Sequence, residues 1–339
     1  MQESKNYLKF SKWEGLGNDF VLIESCPNPN SAELARTICN RHLGVGADGL
    51  IYLFRNDQGT HMEIFNADGT VANMCGNGIR CLAAQAMRLG WLKTKEAASI
   101  TTRSGCRTVK VLINHNPALV EVDMGTPIIE DVCSLELPNL HADSIEKLKP
   151  IAAVHQEEGD AQSQTTEKRE KHHKFVAVKV DMGNPHLVVF LGRSDIYSGI
   201  THLKTADFSW PDIALNGSWL ERAQAPEHGI NVEFVIVECA VNGTESSDTH
   251  VASPAPEANN HQNQKADLYM RVWERGVGET QACGTGACAV FAAAHHLQLC
   301  NEEANVHLLG GDLHTSYNGD HLKMLGAARL VYEGSWPLE

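Results

Sequence analysis

The chain has 339 residues, of which 28 are Lys or Arg and 42 are Asp or Glu, so its formal net charge is −14. The length favours two domains, and 42% apolar with 21% charged residues is typical of a globular protein. Because no excess of positive charge attracts phosphates, we expect no nucleic-acid and no membrane partner. The first residues lack the apolar segment of a secretory signal, and no apolar run is long enough to cross a bilayer. We therefore expect a soluble, cytoplasmic protein.

Short runs rich in Val, Ile and Phe predict strands, and two alanine-rich runs with helical spacing predict helices. In chain order, the predicted strands are Phe20 to Ile23, Val109 to Ile113, Phe175 to Val180, Leu187 to Leu191 and Val232 to Val237. The predicted helices run from Ile79 to Leu89, ending before Gly90, and from Ala287 to Leu297. Helices combined with strand-rich halves predict an α+β fold.

Two polar segments interrupt this pattern. Residues 156–173 and 242–265 are dominated by charged and polar side chains, so neither can bury enough apolar surface to offset the entropy of ordering it. We predict that both are loops. The second begins with Asn242 and Gly243, a hairpin turn signal, and is expected to join two strands.

The sequence repeats part of itself at an offset of 208 residues. Residues 62–78 align without a gap with residues 270–286, which sets Cys-Gly-Asn-Gly against Cys-Gly-Thr-Gly. A shorter repeat sets residues 17–20 against residues 183–186, each leading into an apolar strand. Two repeats in the same order predict two halves of similar fold, with a site between them built from equivalent loops.

The chain has ten cysteines, and in a cytosolic protein such a number indicates burial, metal binding or catalysis more often than disulfides. Cys75 and Cys283 stand out because each precedes Gly-x-Gly and a predicted helix. We predict that Asn77 and Thr285 cap these helices, and that the helix N-termini bind a carboxylate and lower the pKa of both thiols. The other eight cysteines are predicted to be buried packing: Cys26, Cys39, Cys81, Cys106, Cys133, Cys239, Cys288 and Cys300.

Several functions could explain the two singled-out cysteines. A zinc site or a redox dithiol would typically show Cys-x-x-Cys spacing, which the sequence lacks. Packing at a helix start explains one such cysteine more naturally than a symmetric pair. A function as a thiol-based redox sensor stays open. The remaining interpretation is a pair of opposed thiols that remove a proton from one face of a carbon and return one to the other. No dinucleotide-binding glycine pattern, P-loop or Schiff-base lysine stands out, so we predict no cofactor and no metal.

Four motifs, in order along the chain, resemble the diaminopimelate epimerase family. They are Gly15-Leu-Gly-Asn-Asp-Phe20, Phe65-Asn-Ala-Asp-Gly-Thr with Met-Cys75-Gly-Asn-Gly-Ile-Arg80, Met182-Gly-Asn-Pro-His186, and Trp273-Glu-Arg-Gly with Gln281-Ala-Cys283-Gly-Thr-Gly-Ala-Cys288. The resemblance implies two similar α+β domains related by a pseudo-two-fold axis, each a curved, mostly antiparallel sheet around a central helix, with the active site in the cleft between them. We expect the first domain to be residues 1–126 completed by residues 327–339, and the second to be residues 127–326.

The resemblance also implies an activity and the residues that carry it. The activity is cofactor-independent interconversion of LL- and meso-diaminopimelate, in lysine and peptidoglycan precursor synthesis, by a homodimer that binds this small-molecule substrate. Cys75 and Cys283 would be the acid and base, while His186 and Glu274 would orient the substrate amine and support proton transfer. The other implied contacts are Asn18, Asn66, Asn184 and Asn231 at the distal amino-acid end, Arg275 at the distal carboxylate, and the backbone N–H groups of Gly76, Asn77, Gly284 and Thr285 at the reacting carboxylate.

From the residues alone, simpler roles stay open. Asn66 could be a turn residue, His186 a packing histidine, and Glu274 with Arg275 a solvated pair. Gly49 stands where some family members touch substrate through a glutamine, so no contact is predicted there. The rival enzyme is a cofactor-free racemase of proline or hydroxyproline, which would have no use for residues that bind a distal amino-acid group.

Overall fold

The structure is a computed structural model that describes residues 7–137, 174–193, 210–225, 227–239 and 266–338. Both predicted polar loops lie outside these residues. Before Gly125 the chain forms β1 (Tyr7–Gly15), β2 (Asn18–Ile23), α1 (Ser31–Ile38), β3 (Gly49–Asn56), β4 (Gly59–Asn66), β5 (Val71–Ala72), α2 (Gly76–Arg88), β6 (Ala97–Thr102), β7 (Gly105–Ile113) and β8 (Ala118–Gly125).

The later elements repeat this order after one additional strand, β9. They are β9 (Ile128–Glu136), β10 (Lys174–Asp181), β11 (Pro185–Arg193), α3 (Ile213–Gln224), β12 (Asn231–Cys239), β13 (Ala266–Glu274), β14 (Gly278–Thr280), α4 (Gly284–His296), β15 (Glu303–Leu308), β16 (Gly311–Asn318) and β17 (His321–Pro337). The 208-residue offset carries α2 onto α4 without a shift at either end. All five predicted strands and both predicted helices are confirmed, whereas α1 and α3 were not predicted.

The strands of the first half form a closed ring, and those of the second half follow the same order and close through β8 and its continuation β9. In the first half β1 pairs with β2, and hydrogen bonding continues through β3, β4, β6, β7, β8 and β17 back to β1. The second half runs in the same way from β10 through β11, β12, β13, β15 and β16 to β17, and β9 pairs with β10. Most neighbours are antiparallel. The parallel pairs are β2 with β3 and β4 with β6, repeated as β11 with β12 and β13 with β15.

The halves are joined at two places, namely where β8 continues into β9 and along β17. The first part of β17 pairs with β8, and its last part pairs with β1 at the start of the chain. Conversely, β9 follows β8 directly and pairs with β10 of the second half. The last part of β17 therefore completes the ring of the first half, and β9 adds a strand to the second half.

The helices α2 and α4 lie inside the two rings. Every residue of α2 from Gly76 to Met87 is buried, and α4 is buried along most of its length. Alanine and glycine make this possible, because a helix enclosed on all sides by strands has room for few large side chains. The other two helices pack outside, each over a separate apolar cluster containing Ala35 and Ile38 for α1, and Ile213 and Leu220 for α3. The predicted fold class, two similar α+β halves around central helices, is confirmed.

Candidate active site

The two singled-out cysteines themselves cap the central helices. Cys75 is the N-cap of α2, and its Sγ accepts a hydrogen bond from the N–H of Gly78 at 3.4 Å. Cys283 is the N-cap of α4, with the equivalent bond from Gly286 at 3.3 Å. The prediction that Asn77 and Thr285 are the caps is therefore wrong. The sulfur takes the place of the usual capping oxygen, so each thiol is held at the positive end of its helix.

The first turns of α2 and α4 are in contact. A Cβ added to Gly76 would lie 3.4 Å from the Cα of Gly284, and one added to Gly284 would lie 3.3 Å from the Cα of Gly76. Met324 of β17 packs against both glycines. Because side chains at these positions would push the helix ends apart, the glycines allow the two thiol-bearing termini to approach one another.

Burial raises the pKa of both thiols, and the predicted lowering is wrong in sign. Desolvation is the largest cause for Cys75, and the N–H bond from Gly78 offsets it only in part. The pKa of Cys283 is raised further above its usual range, because the carboxylates of Glu274 and Glu233 add repulsion to desolvation. Glu274 acts on Cys75 as well. The contact of Gly76 with Gly284 and the influence of Glu274 on both thiols place the two cysteine-capped helix ends beside one another.

Glu274 ends β13 beside Cys283. Its carboxylate accepts a hydrogen bond from the hydroxyl of Thr280 and acts electrostatically on the Cys283 thiol. Burial nonetheless raises the pKa of Glu274, and the charge of Glu233 raises it further. A carboxylate with a raised pKa beside a thiol is suited to take the thiol proton.

His186 is fully buried and paired with an acid that the sequence analysis missed. Its Nδ1 lies 2.7 Å from Oε1 of Glu233, and neither side chain is exposed to solvent. His186 lies in β11 and Glu233 in the adjacent parallel strand β12. The available signal was a single glutamate inside the apolar run from Val232 to Val237, where an unpaired charge would be costly.

A polar chain of contacts holds Asn18 and Asn77 together in the first half. The side-chain amide of Asn77 donates to Oδ1 of Asn18, and the amide of Asn18 donates to Asp48 at 3.2 Å. Buried Arg80 donates to Oδ1 of Asn77 at 2.9 Å and to the carbonyl of Gly76 at 3.1 Å. Asp48 and Arg80 had no predicted role, although Arg80 lies in the motif that contains Cys75.

The remaining predicted contacts lie at strand ends in both halves. Asn231 begins β12 and is buried; its Nδ2 donates to the carbonyl of Pro185, and its Oδ1 accepts the N–H of Arg275. Asn184 directly precedes β11 and is half-buried, whereas Arg275 is exposed and donates to the carbonyl of His228. Thr285 Oγ1 lies 3.5 Å from the Cys283 sulfur.

Asn66, the last residue of β4, is exposed and donates to Thr70 at 2.9 Å, within the turn that follows the strand. Asn66 pairs with Gly49 of the neighbouring strand β3. A Cβ added to Gly49 would lie 2.9 Å from the carbonyl oxygen of Phe65. A larger side chain at Gly49 is therefore disfavoured.

The prediction that the other cysteines are buried holds only in part. Cys81 and Cys288 are fully buried in the helices, and Cys39 is buried as well. Cys26 and Cys106 are exposed, however, and Cys133 and Cys300 are only half-buried. The local sequence did not distinguish the two faces of a strand or the position of a turn. The side chain of Cys239 lies outside the described residues.

The described residues contain neither a candidate metal cluster nor a membrane-spanning helix. No cluster of three or more His, Cys, Asp or Glu side chains there could hold a metal ion. In the same part of the chain, no helix has the length and apolar character needed to cross a membrane.

Comparison with known proteins identifies the family. The sequence pattern of the diaminopimelate epimerase family matches residues 10–130 and 178–331. A diaminopimelate epimerase from Synechococcus sp. is 34% identical over 340 residues, which cover 97% of this chain and 98% of that protein. The chain belongs to the diaminopimelate epimerase family. A second member of this epimerase family, from Desulforudis audaxviator, is 35% identical over 336 residues and covers 97% and 99% of the two chains.

The fold of this epimerase extends to more distant proteins. A PhzF-family phenazine biosynthesis protein from Bacillus anthracis superposes with a TM-score of 0.60 at 12% sequence identity, covering 98% of this chain and all of the other. At that identity the likeness concerns the fold alone.

Proposed function

We propose that this member of the diaminopimelate epimerase family interconverts LL- and meso-diaminopimelate without a cofactor, using Cys75 and Cys283 as an acid–base pair. The observation that carries the proposal is the contact between two cysteine-capped helix termini at Gly76 and Gly284, with Glu274 acting electrostatically on both thiols. An inversion needs one proton-transfer group on each face of the carbon, and two equivalent helix ends supply such a pair.

In the proposed reaction one cysteine starts as the thiolate and the other as the thiol. The thiolate takes the α-proton, and the electron pair of the broken C–H bond stays on the substrate as a carbanion stabilised by the adjacent carboxylate. The opposite thiol gives its proton to the other face, which forms the new C–H bond and leaves a thiolate. Glu274 accepts the Cys283 proton when that cysteine must act as the base, because its raised pKa lies closer to that of the thiol.

The helix termini provide the stabilising field. We propose that the N–H groups of Gly76, Asn77, Gly284 and Thr285 bind the carboxylate at the reacting centre, where two helix dipoles add their positive ends. His186 faces the amine of the same centre. The burial that raises the thiol pKa also excludes water, which strengthens these interactions during the reaction.

The distal half of the substrate would be read by the strand-end residues. Arg275, an exposed guanidinium, suits a carboxylate through paired, charge-assisted hydrogen bonds. Asn18, Asn66, Asn184 and Asn231 would hold the distal amine and α-carbon in the L configuration. The homodimer and the cytoplasmic location inferred from the sequence stay predictions.

The decisive experiment is incubation of LL-diaminopimelate with purified, reduced protein in D₂O without added cofactor. We expect deuterium at one α-carbon together with conversion to the meso isomer, measured by mass spectrometry and chiral chromatography. Cys75→Ala and Cys283→Ala should each lower epimerisation at least about 100-fold, because each removes one of the two proton carriers.

The matched control is Cys106→Ala, which removes an exposed thiol from β7 and should leave turnover unchanged. Full epimerisation by either active-site variant would exclude the two-thiol mechanism. Turnover of proline or hydroxyproline in place of diaminopimelate would favour the rival racemase.

A further inference from the structure

His186 and Glu233 form a buried polar pair, and the equivalent position in the first half of the protein has no such pair. Both side chains are 0% exposed, and each keeps one buried polar atom, Nε2 of His186 and Oε2 of Glu233, without a hydrogen-bond partner among the described residues. Buried polar atoms are rarely left unpaired, because desolvation is then not compensated. A functional reason for the pair is therefore expected.

The pair directly borders Cys283. A Cβ added to Gly286 would lie 2.7 Å from Oε1 of Glu233 and 3.2 Å from the sulfur of Cys283, so the carboxylate and the thiol meet the same face of this glycine. Glu233 also raises the pKa of Cys283 and of Glu274. Together with the contact at Gly286, these effects place Glu233 within electrostatic reach of both groups.

The internal repeat shows what occupies the equivalent place beside Cys75. In the first half β2 and β3 pair in parallel with Phe20 opposite Gly49; in the second, β11 and β12 pair in parallel with His186 opposite Asn231. The counterpart of His186 is therefore Phe20, and the counterpart of Glu233, two residues further along its strand, is Ile51.

The surroundings of the second glycine in each motif agree with this correspondence. A Cβ added to Gly78 would lie 2.9 Å from Cδ1 of Ile51, just as one added to Gly286 meets Glu233. Phe20 and Ile51 are buried as well. The same backbone arrangement thus carries an apolar pair beside Cys75 and an acid–imidazole pair beside Cys283.

We propose that Glu233 is a positioning residue that holds His186 with Nδ1–H donated to its carboxylate and Nε2 left as an acceptor for the substrate ammonium at the reacting centre. This inference rests on the proposed epimerase function. Which ring nitrogen of a histidine carries the proton is set by the hydrogen bond that the other nitrogen makes. The two thiols then work in unequal surroundings, with the amine held on the Cys283 side.

The first test measures the ring nitrogens of His186 by ¹⁵N NMR in histidine-labelled protein without substrate, with the signal assigned from its loss in His186→Phe. The measurement is made about two pH units above the ordinary imidazole pKa of about 6.5. We expect protonated Nδ1 and unprotonated Nε2, and a loss of this preference in Glu233→Gln, whose amide can also donate. A proton on Nε2 in the unsubstituted protein would overturn the proposal, whatever the enzyme turns over.

The second test compares kinetics with stability. Glu233→Gln should lower kcat about 10-fold with a smaller change in KM, and the double variant His186→Phe/Glu233→Ile, which copies the first half, should lower kcat about 100-fold or more. The double variant should unfold at a temperature equal to or above that of the unsubstituted protein, because it replaces a buried polar pair by a matched apolar pair. If His186 and Glu233 had only a structural role, the variants would instead lose kcat only to the extent that their unfolding temperature falls.

Retention of full kcat by a folded double variant would also overturn the proposal. Failure of the proposed function has a different signature, namely no turnover of diaminopimelate by the unsubstituted protein. The NMR result stands in that case, since it needs no substrate.

Discussion

At the scale of single residues, the thiols combine two opposing influences. Each sulfur accepts a backbone N–H at a helix start, which favours the thiolate, whereas desolvation and the charge of Glu274 disfavour it. Burial dominates, so both pKa values are raised. A thiol kept protonated by its surroundings is a competent proton donor, and the neighbouring carboxylate supplies the acceptor needed when the same thiol must become a base.

This balance predicts the pH dependence of thiol alkylation. Only the thiolate reacts, so alkylation of Cys75 and Cys283 by iodoacetamide should be slow at neutral pH and should accelerate only above the ordinary thiol pKa of about 8.5. Glu274→Gln removes a negative charge that raises both pKa values, and a pKa lowered by one unit would raise the thiolate fraction about tenfold at a fixed pH below it. Cys283 should therefore be alkylated faster in this variant, measured by peptide mass spectrometry.

Exposed Cys106 serves as the internal control, because its alkylation rate should be the same in both proteins. An unchanged or slower reaction of Cys283 in Glu274→Gln would contradict the electrostatic role given to this carboxylate.

At the scale of elements, the two cysteine-capped helices are equivalent in backbone but differ in what surrounds their first turns. Gly78 of α2 faces the flexible ends of Ile51 and Met62, with an added Cβ 2.9 Å and 3.2 Å from their terminal carbons. Gly286 of α4 faces the hydrogen-bonded carboxylate of Glu233 and the sulfur of Cys283. The same substitution therefore has different consequences in the two helices.

We predict that Gly286→Ala lowers kcat about 10- to 100-fold, because the new methyl group must displace Glu233 or the reacting thiol. Gly78→Ala should cost much less activity, since methyl groups at the ends of Ile and Met side chains can move aside, and its free energy of unfolding should change by no more than about 1 kcal/mol. Steady-state kinetics and thermal unfolding of the two variants test this. Equal losses of kcat would show that the helix termini tolerate added volume equally.

Sequence reasoning was most successful where the signal was local or repeated. Apolar periodicity located α2 and α4, and the 208-residue offset indicated two equivalent halves. It failed where the answer depended on strand partners. Glu233 becomes a partner of His186 only because β11 and β12 lie side by side, and Asp48, which directly precedes β3, reaches Asn18 only because β3 pairs with β2. The caps were misassigned because cysteine is not a usual capping residue.

At the scale of the whole molecule, the halves are linked by β17, which pairs with strands of both. We propose that residues 1–126 with residues 327–339 form one domain and residues 127–326 the other. In support, β1 at the start of the chain pairs with the end of β17 from Arg329 to Pro337, while β9 pairs with β10. The C-terminal residues would then stabilise the domain that is farther away in sequence.

A shortened chain tests this division. Ending the chain after Ala328 keeps the pairing of β17 with β8 and the bond from Arg80 to the carbonyl of Ala327, but removes every pairing partner of β1 in β17. Because β1 then becomes an edge strand, its amides should lose hydrogen-exchange protection about tenfold or more, whereas those of β10 and β11 should stay within about threefold of the full chain. Substrate turnover should fall as well, since β1 leads directly into Asn18. Equal loss of protection in β1 and β10 would mean that the protein opens as one cooperative unit, and the proposed division would be wrong.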